Sequence, residues 1–218
     1  MSEQISFLRS GLLAGLCLMA AACSSGDEAT GFITENLPPP ASAETAEGDV
    51  PRDENGRPYQ YRLLGERVPA FSVTAADGST ITQDDLAGQW TIVDFWGLWC
   101  PDCIVDAPYV EELAETLETV PDIHLLSIHS PPNARRIADA FGRYENLEDY
   151  TAQTGYGSHS AIDADASAKE VFDLPWVPIY LVVDPEGTIQ AFRTDISEGG
   201  DDPVAGFIAD VRSVMAAG

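Results

Sequence analysis

The run of residues from 90 to 103 constrains the fold of this chain more than any other feature. It begins with an apolar stretch, Trp90–Trp96, which is typical of a buried strand. Cys100 and Cys103 follow with two residues between them, and a helical pattern begins at once. A helix N-terminus supplies backbone N–H groups and a partial positive charge, and both favour a thiolate over a thiol. The order of strand, cysteine pair and helix therefore predicts a redox-active dithiol.

The overall charge limits the kinds of partner. The chain has 218 residues, with 36 acidic and 11 basic side chains and a formal net charge of -25. A surface this acidic argues against nucleic acid as a partner and against tight binding to anionic lipid headgroups. Hydrophobic residues make up 44% of the chain, which is enough for one domain with a substantial core.

The first 22 residues have the pattern of an export signal. Arg9 precedes an apolar run, Gly11–Ala22, that is too short to span a bilayer as a mature helix. The small residues Ala20–Ala22 before Cys23 resemble a bacterial lipoprotein cleavage site. This resemblance predicts lipidation of Cys23 and a lipid-anchored protein on the periplasmic side of the cell envelope. An ordinary cleaved signal and an uncleaved anchor are the alternatives.

Residues 23–58 are rich in proline, alanine and acidic side chains and show little hydrophobic periodicity. This composition predicts a flexible tether between the anchor and a domain that occupies residues 59–218. Cys17 would leave with the signal and Cys23 would carry the lipid, so Cys100 and Cys103 are the cysteines expected in the domain. Such a pair in an exported protein is more typical of catalysis than of a structural disulfide framework.

From residue 59 onward, strand and helix patterns alternate. An Asp77-Gly78 turn leads to a short strand, and a turn at Asp184–Gly187 joins two apolar strands as a hairpin. The alternation predicts an α/β fold with a mixed sheet and helices on both faces. The predicted strands are Ser79–Thr82, Thr91–Trp96, Ile123–His129, Ile179–Val183 and Thr188–Phe192, and the predicted helices are Cys100–Thr119, Asn133–Tyr144, Ala166–Phe172 and Pro203–Met215.

These patterns resemble the thioredoxin superfamily, and in particular its membrane-tethered TlpA/ResA-like branch, over about residues 61–216. The resemblance lies in Val93–Trp96 with the cysteine pair, in Pro108 five residues after the second cysteine, and in Trp176–Asp184. It implies a thioredoxin fold, in which a central mixed β-sheet is flanked by helices and preceded by an N-terminal β extension.

The resemblance implies four catalytic residues. Cys100 is the attacking sulfur and the more exposed of the pair, and Cys103 resolves the mixed disulfide. Asp94 matches the buried acid that relays a proton to and from the resolving cysteine, although an edge-strand carboxylate facing water is the alternative. Asp106 stands where reductive members of the branch carry a glutamate near the thiols.

Pro178 matches the family's cis-proline, which faces the cysteine pair and presents backbone to a client chain. Substrate contacts are predicted at Trp99, Pro101, Val177 and Pro178. The three histidines have no obvious catalytic partners and are interpreted as structural or surface residues; they are His124, His129 and His159.

The residues around the pair leave the redox direction open. Asp102 places a negative charge between the cysteines, which disfavours a thiolate and shifts the couple toward reduction. An exposed carboxylate that interacts only with the helix dipole is the alternative. Val177 stands where reductive members more often have threonine, and valine there, together with a proline such as Pro101, is also seen in oxidising relatives.

The leading hypothesis is an exported thiol–disulfide oxidoreductase that reduces client proteins with electrons from a membrane thiol donor. Clients implied by the resemblance are apocytochrome c before haem attachment and metallochaperone cysteine pairs. The alternatives are a disulfide oxidase or isomerase on the same fold, and a copper- or haem-delivery module that uses the two thiols as ligands. Gly97 stands where a thiol peroxidase would have threonine, and no second ligand pair supports a zinc site. No cofactor and no metal are expected.

Overall fold

The structure, a computed structural model, describes residues 32–34, 63–174, 176–197 and 199–218. The predicted signal at residues 1–22 and the lipidation site Cys23 lie outside these residues, as does most of the predicted tether. The strands are β1 (Ile33–Thr34), β2 (Ser72–Thr74), β3 (Thr80–Thr82), β4 (Trp90–Trp96), β5 (Ile123–His129), β6 (Ala161–Ile162), β7 (Ile179–Val183) and β8 (Ile189–Arg193). The helices are α1 (Pro101–Leu117), α2 (Leu147–Thr154), α3 (Ser167–Val171) and α4 (Pro203–Ala217).

The strands of the described ranges form one mixed sheet in the order β1-β8-β7-β4-β5-β6-β2-β3. Strand β4 lies near the centre, parallel to β5 and antiparallel to β7. The register places Asp94 of β4 directly beside Ser127 of β5 on one side and Tyr180 of β7 on the other. The predicted mixed α/β sheet is therefore confirmed, and β4 carries the acid into its centre.

The predicted N-terminal β extension is the β2–β3 hairpin at one edge of the sheet. Gly78 has φ +83° in the turn between these strands, a conformation that glycine adopts without steric cost. The hairpin pairs with β6 through Thr74 and Ile162, so it extends the sheet beyond the active-site strands.

Two apolar cores lie on opposite faces of the sheet, because successive side chains of a strand point to opposite faces. Ile92 of β4 belongs to the core that includes Leu113 of α1 and Phe207 of α4. Val93 and Phe95 belong to the other core, which also contains Cys100 and Cys103. The cysteine pair therefore rests on a packed core rather than on a mobile loop.

The predicted helix at Asn133–Tyr144 is wrong. The segment contains a 3-10 turn at Ile137–Asp139 and a series of turns closed by hydrogen bonds between residues three apart. Its apolar spacing looked helical, but Gly142 has φ 58°, in the left-handed region. This conformation interrupts a right-handed helix.

The helix of this region is α2 instead, and its ends carry ordinary capping signals that the sequence reading missed. The Asn146 side chain accepts a hydrogen bond from the N–H of Asp149 at 2.8 Å, as an N-cap residue does. Gly155 ends the helix with φ 84°, in the left-handed conformation of a C-terminal glycine. Tyr150 is 1% exposed and anchors α2 in the core.

Three residues of the segment predicted to be a tether, residues 32–34, lie against the sheet. Strand β1 pairs antiparallel with β8, so that Ile33 lies opposite Phe192. Phe32 is 1% exposed, and its ring lies 5.1 Å from that of Phe207. Burial of this aromatic ring and pairing of the β8 edge both favour the docked segment.

Across the described ranges, the structure contains no helix long and apolar enough to cross a membrane.

Candidate active site

Cys100 lies at the junction between β4 and α1. It is the N-cap residue of the helix, and its backbone N–H donates to Gly97 O at 3.0 Å. Pro101 occupies the first helical turn, where its missing N–H has no intrahelical partner. Cys103, one turn into the helix, donates its backbone N–H to Cys100 Sγ at 3.4 Å. The pair is therefore held at the helix N-terminus, as the sequence predicts.

Both cysteines are free thiols, and both are buried. Cys100 is 5% exposed and Cys103 is 2% exposed, so Cys100 is the more accessible by only a small margin.

The loop before β7 faces the pair. The Cys100 thiol donates to Val177 O at 3.1 Å, and the Val177–Pro178 peptide bond is cis. The side chain of Val177 is buried, so a client at this point would meet backbone rather than the isopropyl group. The juxtaposition of Pro178 with the cysteines is the one predicted from the sequence.

The two thiols have opposite acidities. The pKa of Cys100 is lowered, chiefly by a hydrogen bond from the Cys103 thiol, while burial and the negative charge of Asp102 oppose this. The pKa of Cys103 is raised well above its ordinary value by burial, and the neighbouring Cys100 adds to the shift. Asp102 acts in the predicted direction, but the hydrogen bonds to Cys100 outweigh it. The pair therefore favours a thiolate at Cys100 and a thiol at Cys103.

Asp94 is fully buried beside Ser127 of β5. Burial raises its pKa to about 8; a hydrogen bond from Ser127 opposes this, and the charge of Asp106 adds to it. The Ser127 hydroxyl donates to Asp94 Oδ2 at 2.8 Å, whereas Oδ1 has no hydrogen-bond partner among the described residues. The carboxyl group can thus hold a proton near neutral pH and release it again.

A cavity of about 20 Å³ connects Asp94 with Cys103. This volume is sufficient for roughly one water molecule. The cavity is lined by polar and apolar groups from several elements, including Asp94, Cys103, Ser127, Ser160, Pro178 and Tyr180. The carboxyl group and the inner thiol therefore line one cavity that has room for a bridging water molecule.

Asp106 of α1 is held by hydrogen bonds to groups other than the thiols. Its recorded hydrogen bonds come from Tyr180 Oη at 2.8 Å and from the backbone N–H groups of Ile196 and Ser197, both at 3.0 Å, and not from either thiol. The side chain is 1% exposed. Asp106 therefore joins α1 to β7 and to the 196–197 turn, because backbone N–H groups there require an acceptor. These contacts give Asp106 a structural role, and its role near the thiols stays a prediction.

Trp99 is half-buried beside the pair, and much of it is committed to contacts within the protein. Its Nε1 donates to Ser130 O at 2.8 Å, and Lys169 Nζ lies 5.8 Å from the ring centroid. A client can therefore meet the open part of the ring but not its polar edge. Pro101, by contrast, is exposed at the surface next to Cys100.

His129 supports the loop that precedes the cysteines. The backbone N–H of Leu98 donates to His129 Nε2 at 3.3 Å, and the imidazole stacks on Phe141 with ring centroids 5.1 Å apart. Burial lowers the pKa of His129 to about 4, so the ring is neutral. This agrees with its interpretation as a structural residue.

Sequence reasoning missed Ser127, Ser160 and Tyr180, which lie next to Asp94 or Cys103 in the cavity wall. The polar Ser127 within the apolar run of β5 was a usable signal, since a buried hydroxyl requires a partner. Ser160 and Tyr180 carried no comparable local signal. Among the residues that the structure describes, no group of three or more histidine, cysteine or acidic side chains could hold a metal ion.

Two curated relatives match this chain over short segments. The thiol-disulfide oxidoreductase ResA of Bacillus thuringiensis is 40% identical over 50 residues, which is 23% of this chain and 29% of the relative. The thiol:disulfide interchange protein DsbE of Pseudomonas fluorescens is 40% identical over 55 residues, or 25% of this chain and 31% of the relative. The matched segments thus span less than a third of the length of these relatives.

Two solved structures show the same fold. A protein assigned as a thiol:disulfide interchange protein DsbE, from Chlorobium tepidum, has a TM-score of 0.51 at 16% identity, covering 67% of this chain and 96% of its own. A protein assigned as a thioredoxin, from Neisseria meningitidis, also has a TM-score of 0.51, at 20% identity, covering 68% of this chain and 89% of its own. At these identities the likeness establishes the thioredoxin fold alone.

The match to a whole family covers most of the domain. Residues 64–192, which include β2 to β8 and the cysteine pair, match the AhpC/TSA family. With its thioredoxin fold and its Cys-x-x-Cys pair at the start of α1, the chain belongs to the AhpC/TSA family of the thioredoxin superfamily.

Proposed function

We propose that this protein is a thiol–disulfide oxidoreductase whose Cys100–Cys103 pair undergoes thiol–disulfide exchange with disulfides of client proteins. The observation that carries this proposal is the opposite shift of the two thiol pKa values at the N-terminus of α1. A nucleophile must be a thiolate, and a resolving thiol must stay protonated until the mixed disulfide has formed. The names of the relatives, ResA and DsbE, support the same chemistry.

The first step is attack by the Cys100 thiolate on one sulfur of a client disulfide. A bond forms between Cys100 Sγ and that sulfur, the client S–S bond breaks, and the second client sulfur leaves as a thiolate. Cys103 then loses its proton to Asp94 through the shared cavity and attacks Cys100 Sγ. The mixed disulfide breaks, a Cys100–Cys103 disulfide forms, and the client is released as a dithiol after protonation. Two electrons pass from the protein to the client.

A client would dock on the surface around Cys100. The first turns of α1 expose apolar side chains on one helix face: Pro101, Ile104 at 38%, Val105 at 59% and Pro108. Trp99 and the Val177–Pro178 backbone border the sulfur on the other side. An extended client segment could pair with this backbone while its apolar side chains cover the helix face.

The proposed direction is reduction of clients, with electrons supplied by a membrane thiol donor. Apocytochrome c and metallochaperone cysteine pairs are the candidate clients, by resemblance to the tethered branch. The negative charge of Asp102 disfavours the Cys100 thiolate and so supports a reducing couple. The net lowering of the Cys100 pKa favours the second candidate, a disulfide oxidase or isomerase, because a stabilised thiolate makes the couple more oxidising.

A peroxidase is not favoured by the packing at residue 97. A Cβ atom added to Gly97 would clash with the Trp99 side chain and would lie 2.8 Å from Ser130 O. The threonine typical of a thiol peroxidase therefore has no room in this loop without rearrangement.

The proposed cellular setting follows from the sequence. Residues 1–22 serve as a lipoprotein signal, Cys23 carries the lipid, residues 23–58 connect it to the domain of residues 59–218, and the domain faces the periplasm. Within this connection, residues 32–34 are docked on β8. The acidic surface supports protein clients rather than nucleic acid.

The test is the reduction potential of the Cys100–Cys103 pair, measured by equilibration in dithiothreitol and glutathione buffers. A value near about -270 mV, as in thioredoxin, is expected for a reductase, whereas about -120 mV would overturn the reducing direction. Failure to form any intramolecular disulfide would overturn the oxidoreductase itself. Cys103→Ser is the trapping variant and should accumulate mixed disulfides through Cys100. Cys100→Ser is its matched control and should accumulate none.

A further inference from the structure

Asp94 stands at one end of a buried chain of hydrogen bonds. The Trp96 indole Nε1 donates to Ser160 Oγ at 3.1 Å. Ser160 Oγ lies 3.2 Å from Ser127 Oγ, and Ser127 Oγ donates to Asp94 Oδ2 at 2.8 Å. Ser127 and Ser160 are both nearly fully buried, so bulk water does not compete for these bonds.

The donors fix the direction of this chain. An indole N–H can only donate, so Ser160 must accept at that end. Each serine has a single hydroxyl hydrogen, and that of Ser127 is used on Asp94. Ser160 therefore donates to Ser127, and every hydrogen in the chain points toward Asp94 Oδ2.

Such a chain holds the carboxyl group but does not transport its proton. Trp96 ends the chain, and an indole N–H does not release a proton near neutral pH. Proton exchange at Asp94 must therefore use the other oxygen. Oδ1 has no hydrogen-bond partner among the described residues, and Asp94 shares its cavity with Cys103.

We propose that Ser127, backed by Ser160 and Trp96, is a positioning residue that anchors Asp94 Oδ2 and leaves Oδ1 as the atom that receives the Cys103 proton. This inference rests on the proposed oxidoreductase function and adds to it a division of labour between the two carboxylate oxygens. Ser127 itself touches neither the client nor a reacting sulfur.

The other titratable groups near Asp94 come from α1 and β7. Cys103 and Asp106 of α1 each interact electrostatically with the carboxyl group. Tyr180 of β7 also lies beside it, but its hydroxyl donates to Asp106. Within the described part of the chain, the side-chain hydrogen bond to Asp94 thus comes from Ser127.

The experiment compares Ser127→Ala with Ser160→Ala and Ser127→Thr in the full-length protein. The Asp94 titration is followed by carboxyl carbon NMR of the reduced protein, and the pH profile of mixed-disulfide resolution is measured in parallel. Loss of the Ser127 hydroxyl removes a hydrogen bond to the charged carboxylate and should raise the Asp94 midpoint by about one pH unit or more. The resolution profile should move to higher pH by the same amount.

Ser160→Ala is the matched control, since it removes one hydroxyl from the same cavity without touching Asp94. Ser160→Ala should raise the Asp94 titration midpoint by less than half of the shift caused by Ser127→Ala. Ser127→Thr keeps a hydroxyl group at this position and should leave the midpoint at its wild-type value. An unchanged midpoint in Ser127→Ala, or an equal shift in Ser160→Ala, would overturn the proposal. If the wild-type pair exchanges no disulfides, the oxidoreductase function fails, but the NMR titration still decides the role of Ser127.

Discussion

The Asp94→Asn variant should be more stable than the wild type at neutral pH, and this difference in stability should grow as the pH rises. The folded carboxyl has a pKa of about 8 because it is buried, against an ordinary value of 3.8. Between these values the folded state binds more protons than the unfolded chain, so stability falls with increasing pH. At about 1.4 kcal/mol per pH unit, the raised pKa of folded Asp94 lowers stability, relative to a carboxyl group with an unshifted pKa, by about 2 kcal/mol at pH 5 and about 4 kcal/mol at pH 7.

Asparagine has no charge to lose, and its amide oxygen can still accept from Ser127. The advantage of Asp94→Asn over the wild type should therefore grow by about 3 kcal/mol between pH 5 and pH 7. The change in the stability advantage between pH 5 and pH 7 is more informative than the advantage at either pH. The new amide N–H groups add a cost that is the same at both pH values and cancels from this change.

The assay is urea unfolding at pH 5, 6, 7 and 8, with a thiol reductant that keeps both cysteines reduced. Asp102→Asn is the matched control, because it removes the same charge from an exposed position on α1. The control should follow the wild-type pH dependence. Parallel curves for Asp94→Asn and the wild type would refute the assignment of a raised pKa to Asp94.

The remaining predictions concern the residues that support the site. Asp106→Ala should destabilise the protein by about 3 kcal/mol or more, measured by urea unfolding, because it leaves three donors without their acceptor. Between pH 6.5 and pH 4 the unfolded chain binds a proton at His129 more strongly than the folded protein, because the pKa of folded His129 is about 4. The wild type should therefore lose about 3 kcal/mol of unfolding free energy over this range, and His129→Gln should remove that loss in a urea titration. An unchanged acid limb would contradict the neutral buried imidazole. Phe32→Ala should cost about 3 kcal/mol and speed amide hydrogen exchange in β8, whereas unchanged exchange would show that the docked segment does not protect that edge.

The strand, cysteine pair and helix could be predicted because each of their signals is local. Seven residues of β4 form a nearly continuous apolar run, as expected for a central strand covered on both faces. Pro101 marks the start of α1, and the Asp184–Gly187 turn marks the hairpin of β7 and β8. Residues that carry such signals fix their own conformation, so their placement did not depend on distant parts of the chain.

The features that sequence reasoning missed depend on contacts between distant residues. The Ser127–Ser160 contact joins positions 33 residues apart, and the hydrogen bond from Tyr180 to Asp106 joins positions 74 apart. Asp106 was predicted near the thiols from the glutamate that reductive members of the tethered branch carry there, and no pattern in the sequence indicates that its carboxylate accepts from the backbone N–H groups of Ile196 and Ser197. Phe32 lies in a segment whose composition resembles a linker, and only the partly open edge of β8 gives it a place.

The proposed reaction depends on the difference between the two thiols more than on the acidity of either one. If Cys103 had the lowered pKa, the attacking thiolate would stand at the more buried of the two positions. Burial instead keeps Cys103 protonated, so its attack must wait for a base, and Asp94 with a pKa of about 8 can accept a proton at neutral pH. Ionised Asp94 also raises the pKa of Cys103. The carboxylate that later accepts the proton therefore helps to keep that proton on Cys103 beforehand. The ionised form of Asp94 therefore opposes loss of the Cys103 proton before the mixed disulfide forms and accepts that proton afterwards. Burial of the carboxyl group raises its pKa and so lowers fold stability at neutral pH, and Asp94→Asn should recover that stability.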